Sequence, residues 1–200
     1  MKIEGENNSV DISTSAKLNN VEITIKGNNN RIIISNNDLL FNLNIQMLGD
    51  NHLFKIEPCS ILRGGIIEFE DIGNSLLIGS HTEIHYNFYA TLCEKNKSII
   101  IGNNCLFSNT VRMWVADSHP IIDMNTEKLL NPGKDIILND RIWICEYVRI
   151  LKGVILGSDS VIGAGSVVTA HTYPDHCVIA GNPAKVIKTN ISWKHLRILD

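Results

Sequence analysis

The chain has 200 residues, 44% of them hydrophobic, and a formal net charge of -3. That is enough apolar content for one substantial core, and too little positive charge to point to nucleic acid or an anionic membrane surface as the main partner. Five cysteines, odd in number and without a C-x-x-C pair, suggest neither a disulfide framework nor a zinc site.

The N-terminus, M-K-I-E-G-E-N-N, lacks an apolar signal core, and no run is long enough to span a bilayer, so the expected location is cytoplasmic. Over residues 1–60 three related stretches follow one another, G-E-N-N-S-V-D-I, G-N-N-N-R-I-I-I and G-D-N-H-L-F-K-I, beginning at Gly5, Gly27 and Gly49. Asn and Gly tolerate left-handed backbone, so each G-x-N predicts a coil corner followed by a strand. This region is expected to be irregular N-terminal coil; its interleaved Ile and Val runs argue against a disordered tail.

Residues 61–188 carry a six-residue period. Ile66, Ile72, Ile78 and Ile84 form one apolar column, Ile101, Phe107 and Met113 a second, and Leu138, Ile144, Ile150, Leu156, Ile162 and Val168 an unbroken third. Six matches neither the 3.6 spacing of an amphipathic helix nor simple strand alternation; it matches short strands joined by tight turns, stacked as coils around a continuous core. Small or branched residues such as Val154, Ser160 and Ser166 are expected to fill the interior corners. The phase slips between the columns, which predicts loops leaving the coil near residues 85–100 and 114–135, and function is sought there. In the last twelve residues, 189–200, the apolar spacing of Ile191 to Leu199 suits a short terminal helix.

The second loop holds A-D-S-H-P-I-I-D, residues Ala116 to Asp123. A histidine projecting from a rigid coil is well placed to meet a ligand, and imidazole is the side chain that accepts and returns a proton near neutral pH, so His119 is the candidate general base.

Taken in order, K-S-I-I-I-G-N-N-C-L-F-S, D-S-H-P-I-I-D, L-N-P-G-K-D-I-I-L-N-D-R-I-W-I, L-G-S-D-S-V-I-G-A-G-S-V-V-T and V-I-A-G-N-P-A-K-V-I-K resemble the hexapeptide-repeat acetyltransferases. Within that family they are most similar to polysaccharide and capsule O-acetyltransferases, including those that modify sialic acid polymers. The resemblance covers about residues 60–188. It implies an all-β, left-handed parallel β-helix with protruding loops, a homotrimer with active sites between subunits, and acetyl-CoA as donor. It implies transfer of acetyl to a hydroxyl of a sugar or polysaccharide by direct attack, without an acetyl-enzyme.

Carried over by residue, the family's catalytic histidine falls on His119, with Asp117 placed to orient its imidazole. Trp143 matches the tryptophan beside the acetyl group and pantetheine arm; it precedes the inward Ile144, so its ring should face outward. Coenzyme A contacts fall on Gly163, Ala164, Thr169, Ala180 and Pro183, with Tyr173 near the cofactor end and Lys185 and Lys188 meeting the phosphates. The acceptor contacts are Asn87, Tyr89, Thr91 and Arg112; Thr91 replaces a polar amide of the galactoside enzymes, and Cys145 replaces a glycine after W-I.

A γ-type carbonic anhydrase shares this kind of coil, but His81 and His85 are four apart in a six-residue repeat and should face different sides, so no metal is expected. Transfer to the nitrogen of an amino sugar or sugar nucleotide stays open as the alternative, and a non-enzymatic β-helix scaffold is the third reading.

Overall fold

The computed structural model describes residues 1–196. Its strands stack in parallel as a three-sided β-helix. One face holds Ser9–Ile12, Arg31–Ile34, Leu53–Ile56, Ser75–Ile78, Ser98–Ile101, Ile136–Leu138, Ile155–Leu156 and Thr172–Tyr173. A second, the tyrosine face, stacks Gly65–Phe69, Phe88–Leu92, Arg112–Trp114, Arg149–Leu151 and Val167–Val168. A third, the tryptophan face, stacks Ile61–Leu62, Glu83–Ile84, Leu106–Phe107, Trp143–Ile144, Val161–Ile162 and Cys177–Gly181. The long strands Lys17–Lys26 and Leu39–Leu48 bend round a corner and serve the last two faces together. Inward and outward side chains alternate along each strand, so Ile32, Ile34, Phe54, Ile56, Leu76 and Ile78 share one interior.

The third hexad column is inward throughout: Leu138, Ile144, Ile150, Leu156, Ile162 and Val168 are all buried. The first is inward only at Ile78 and Ile84. Ile66 is 39% exposed and Ile72 only half-buried, while Leu62, Ile67, Phe69 and Leu76 point inward. The cause is coil length. Buried side chains at two of the corners bond to the next coil at a separation of 22 residues, from Asn30 to His52 and from Asp38 to Ser60, and 23 residues separate Asn74 from Lys97. In the C-terminal coils the corresponding separations are 18 and 17, as for Arg141 with Asp159 and Ser160 with Cys177. Of these separations six divides only 18, the spacing that pairs Leu138 with Leu156, Ile144 with Ile162 and Ile150 with Val168.

The first sixty residues are therefore regular coils of a longer period, not irregular ones. Their corners hold Gly5, Gly27 and Gly49 at φ of 110, 139 and 131°, each followed by Asn7, Asn29 and Asn51 in left-handed conformation. Asn8, Asn30, His52 and Asn74 form a ladder beside them; Asn30 donates from Nδ2 to the half-buried Gly49 O and accepts from His52 N, a bond out of reach of water. Asn30→Ala would orphan the buried His52 N–H at roughly 1–3 kcal/mol, so the unfolding free energy is expected to fall by about that much in chemical denaturation.

Residues 85–100 do not leave the coil. Phe88–Leu92 and Ser98–Ile101 pair above and below in ordinary register, and the phase slip there is one extra residue. The second excursion is real: Ser98 N bonds to Asp135 Oδ1, 37 residues on, with the chain between Val115 and Lys134 extruded as a loop. Ala184–Thr189 folds back antiparallel on Cys177–Gly181 and closes the stack. No helix occurs among the described residues. The segment expected as a terminal helix is irregular over 191–196, with a bend at 195–196, and its groups bond to the coil, Ile191 N to His176 O and Trp193 Nε1 to Arg141 O; 197–199 lie outside the described residues.

Candidate active site

The loop that carries His119 leaves the tyrosine face after Trp114, with Val115 and Ala116 buried at its base. Lys134 N closes the base on Val115 O, and Gly133 N donates to Glu94 Oε2. Asn131 ties the two limbs, donating from Nδ2 to Asp117 Oδ2 and to His119 O at 2.9 Å each, while its Oδ1 accepts from Ile121 N. Lys152 rises from the coil to donate to Asp117 Oδ2 at 2.5 Å and to Asn131 O at 2.7 Å. That ammonium, with help from Asn131, holds the Asp117 carboxyl below the usual carboxylate range against partial burial. At the tip, Ile122 bridges Leu129 and the Asp123 carboxylate accepts from Asn125 N, Thr126 N and Thr126 Oγ1.

Asp117 is thus engaged with Lys152 and Asn131 and makes no hydrogen bond to the imidazole; it secures the loop instead of orienting the ring. His119 is exposed, its amide donating to Asp117 O, and its ring hydrogen-bonds to none of the described residues. An imidazole on a pinned backbone with both nitrogens free is arranged to exchange a proton with a ligand. Lys152 and Asn131 escaped the reading of the sequence, since they lie 35 and 14 residues from Asp117 with no local motif to announce them.

Below the loop, Tyr89 and Arg112 face outward in adjacent rows of the tyrosine face. The Arg112 guanidinium lies 5.8 Å from the centre of the Tyr89 ring, and Trp114 packs edge-on to that ring at 6.3 Å. The Tyr89 hydroxyl donates to the Glu68 carboxylate; burial, then this bond, push the phenol above its ordinary range. Asn87, Tyr89 and Arg112 line one open cavity of about 370 Å³ with Gly65, Ile66, Phe88 and Thr110. Thr91 stays outside it, 8% exposed between Glu68 and Trp114, its hydroxyl without a hydrogen-bond partner among the described residues.

A second cavity, about 330 Å³, lies at the C-terminal end and gathers Thr169, Tyr173, Pro183 and Lys185 with Ala170, His171, Ala184 and Val186. Tyr173 lines it but is mostly buried. Its ring fills the interior of the last coil in register with Leu156, 4% exposed, with its hydroxyl donating to Thr169 O and Ala184 O, so the residue belongs to the core before it belongs to a ligand site. Gly163 lies against Ala180, where an added Cβ would stand 2.9 Å from that of Ala180, and Ala164 sits exposed at the next corner. Lys188 shares the exposed return strand with Lys185 but not the cavity. Small residues beside a groove lined by the Lys185 ammonium, with Lys188 on the same exposed strand, suit a long, phosphate-bearing ligand lying against backbone.

Trp143 projects half-buried from the tryptophan face, as its place before inward Ile144 implies. His119 and Trp143 therefore belong to different sides of one prism, and neither Trp143 nor His119 lines either of the cavities above.

No protein-family model matches the chain. The polysialic acid O-acetyltransferase of Escherichia coli O1:K1 / APEC is 38% identical over 139 residues, 70% of this chain and 44% of that protein. The galactoside O-acetyltransferase of Escherichia coli (strain K12) is 36% identical over 116 residues, 55% of each. The chain spans about half the length of these curated relatives. Two crystal structures match over nearly the whole fold. The polysialic acid O-acetyltransferase OatWY matches with a TM-score of 0.92 at 31% identity, covering 98% of this chain and 92% of that one. The polySia specific acetyltransferase NeuO matches with a TM-score of 0.84 at 33% identity, covering 98% and 88%.

Proposed function

Because the chain belongs to the hexapeptide-repeat acetyltransferases, we propose that it transfers acetyl from acetyl-CoA to a hydroxyl of a sugar or surface polysaccharide. The single observation that carries this reading is His119, exposed on a loop held by Asp117, Asn131 and Lys152 with its ring free to act. A sugar hydroxyl is a weak nucleophile at neutral pH. His119 accepts its proton as the oxygen attacks the thioester carbonyl; the C–S bond breaks, the thiolate of coenzyme A leaves, and the proton on His119 passes to it. Such base assistance is worth about a hundredfold to ten-thousandfold.

The acceptor lies over the tyrosine face, in the cavity of Asn87, Tyr89 and Arg112. A guanidinium beside an aromatic ring suits a sugar that carries a carboxylate, and relatives named for polysialic acid support that class. The donor runs toward Gly163, Ala164, Thr169, Ala180 and Pro183, with Lys185 and Lys188 at its phosphates. Trp143 stands beside the thioester end. His119 and Trp143 occupy different sides of one prism, so the working site needs His119 of one subunit and Trp143 of a neighbour, as in a cyclic trimer.

The test is direct. Acetyl-CoA at about a hundred times its dissociation constant is expected to add about 2.7 kcal/mol to the folded state and to raise the melting temperature. With a panel of acidic, neutral and amino-sugar acceptors, released thiol is expected with an acidic polysaccharide. No shift with the donor, and no thiol release with any acceptor, overturns the enzymatic reading; release only with amino sugars moves the acceptor from oxygen to nitrogen.

A further inference from the structure

The segment after the return strand does not trail away from the coil. It turns back along the stack over the tryptophan face, where Glu83, Leu106, Trp143, Val161 and Val178 succeed one another in register. Ile191 N bonds to His176 O at the level of the last coil. Trp193 then packs on Trp143, ring centres 6.1 Å apart and tilted by 41°, and its Nε1–H donates to Arg141 O at 2.7 Å. The Arg141 guanidinium lies 5.9 Å from the centre of the Trp193 ring, and its terminal nitrogen reaches Trp193 O at 3.4 Å. Further on, His195 Nε2 stands 3.6 Å from Glu83 Oε1.

Two features of this contact matter. At that separation the two indoles touch, and no pantetheine arm fits between them. The attachment is also slight: the segment pairs with no strand, its residues are exposed or half-buried, and its bonds to the coil are a few single ones at the surface. A segment of this kind opens at small cost, whereas the coil beneath does not.

We propose that residues 190–196 form a strap that closes over Trp143, and that Trp193 and the acyl donor exclude one another from that face. The proposal rests on the reading of Trp143 as a wall of the donor site. Closed, the strap shields the face; when donor binds, Trp193 lifts and Trp143 is freed. The apparent affinity for donor is then the intrinsic affinity multiplied by the fraction of open strap, so weakening the strap tightens binding.

Full-length Trp193→Ala and Trp193→Phe are compared with the parent chain by calorimetric titration with acetyl-CoA. Trp193→Ala is expected to lower the dissociation constant by about five- to tenfold, and Trp193→Phe, which keeps a ring but loses the bond to Arg141 O, by less. In the parent, saturating acetyl-CoA is expected to make the peptide bonds around Trp193 more open to protease. Equal affinities across the three chains, or weaker binding in Trp193→Ala, overturn the strap. A melting temperature matching the parent's shows that the coil is intact in each variant. Absence of acetyl-CoA binding in all three overturns the donor reading itself and the strap with it.

Discussion

His119→Ala is expected to lower turnover by about two to four orders of magnitude while leaving the fold and acetyl-CoA binding as they are. The separation of these effects follows from the geometry. The imidazole makes no hydrogen bond among the described residues, whereas the loop is held by groups that the substitution leaves alone: Lys134 N on Val115 O, Asn131 on Asp117 and on the His119 carbonyl, and Lys152 on Asp117. Removing the ring therefore takes away the proposed proton acceptor and little else. The loss should appear in kcat with acceptor saturating, since the base acts only as the hydroxyl attacks. Steady-state kinetics by thiol release, beside a thermal melt and a donor titration, make the check. Parent-like turnover in a folded variant would remove His119 from the mechanism, and a lowered melting temperature would make it a structural residue of the loop.

The second large effect is structural. Gly27→Ala is expected to destabilise the N-terminal coils by roughly 3–5 kcal/mol, combining strain at a backbone angle that L side chains avoid with overpacking. Gly27 has φ of +139°, and a Cβ there would stand 1.9 Å from the carbonyl oxygen of Gly49 in the next coil. The obstacle is backbone, so no side chain can turn aside. The corner must open, and with it the bonds from Gly27 N to Glu4 O and from Gly49 N to Lys26 O. Each coil contacts only its neighbours, so the damage should remain among the first coils. Limited proteolysis is expected to cut the first fifty or so residues early while residues 61–188 stay protected. Gly165→Ala is the control: its φ is +70°, but nothing stands within 4 Å of the added carbon, so its cost should be only about 1–3 kcal/mol of backbone strain. Equal stability of Gly27→Ala and the parent would show that the stacked glycine corner yields.

That this chain is a stack of coils can be read from residue order, because the inward position recurs at a short interval and each coil is built by local alternation. Leu138 to Val168, the corners at Gly5, Gly27 and Gly49, and the extruded loop carrying His119 were all legible for that reason. So was the outward direction of Trp143 beside inward Ile144. Tertiary structure alone decided which residues meet from one coil to the next, because that depends on the summed length of everything between them. Coils of 22 and 23 residues carried Ile66 outward and kept residues 85–100 in the wall. The same accumulated register brought Lys152 onto Asp117, set Tyr173 inside the last coil, and laid Trp193 on Trp143, contacts between residues 17 to 52 positions apart that no local pattern encodes.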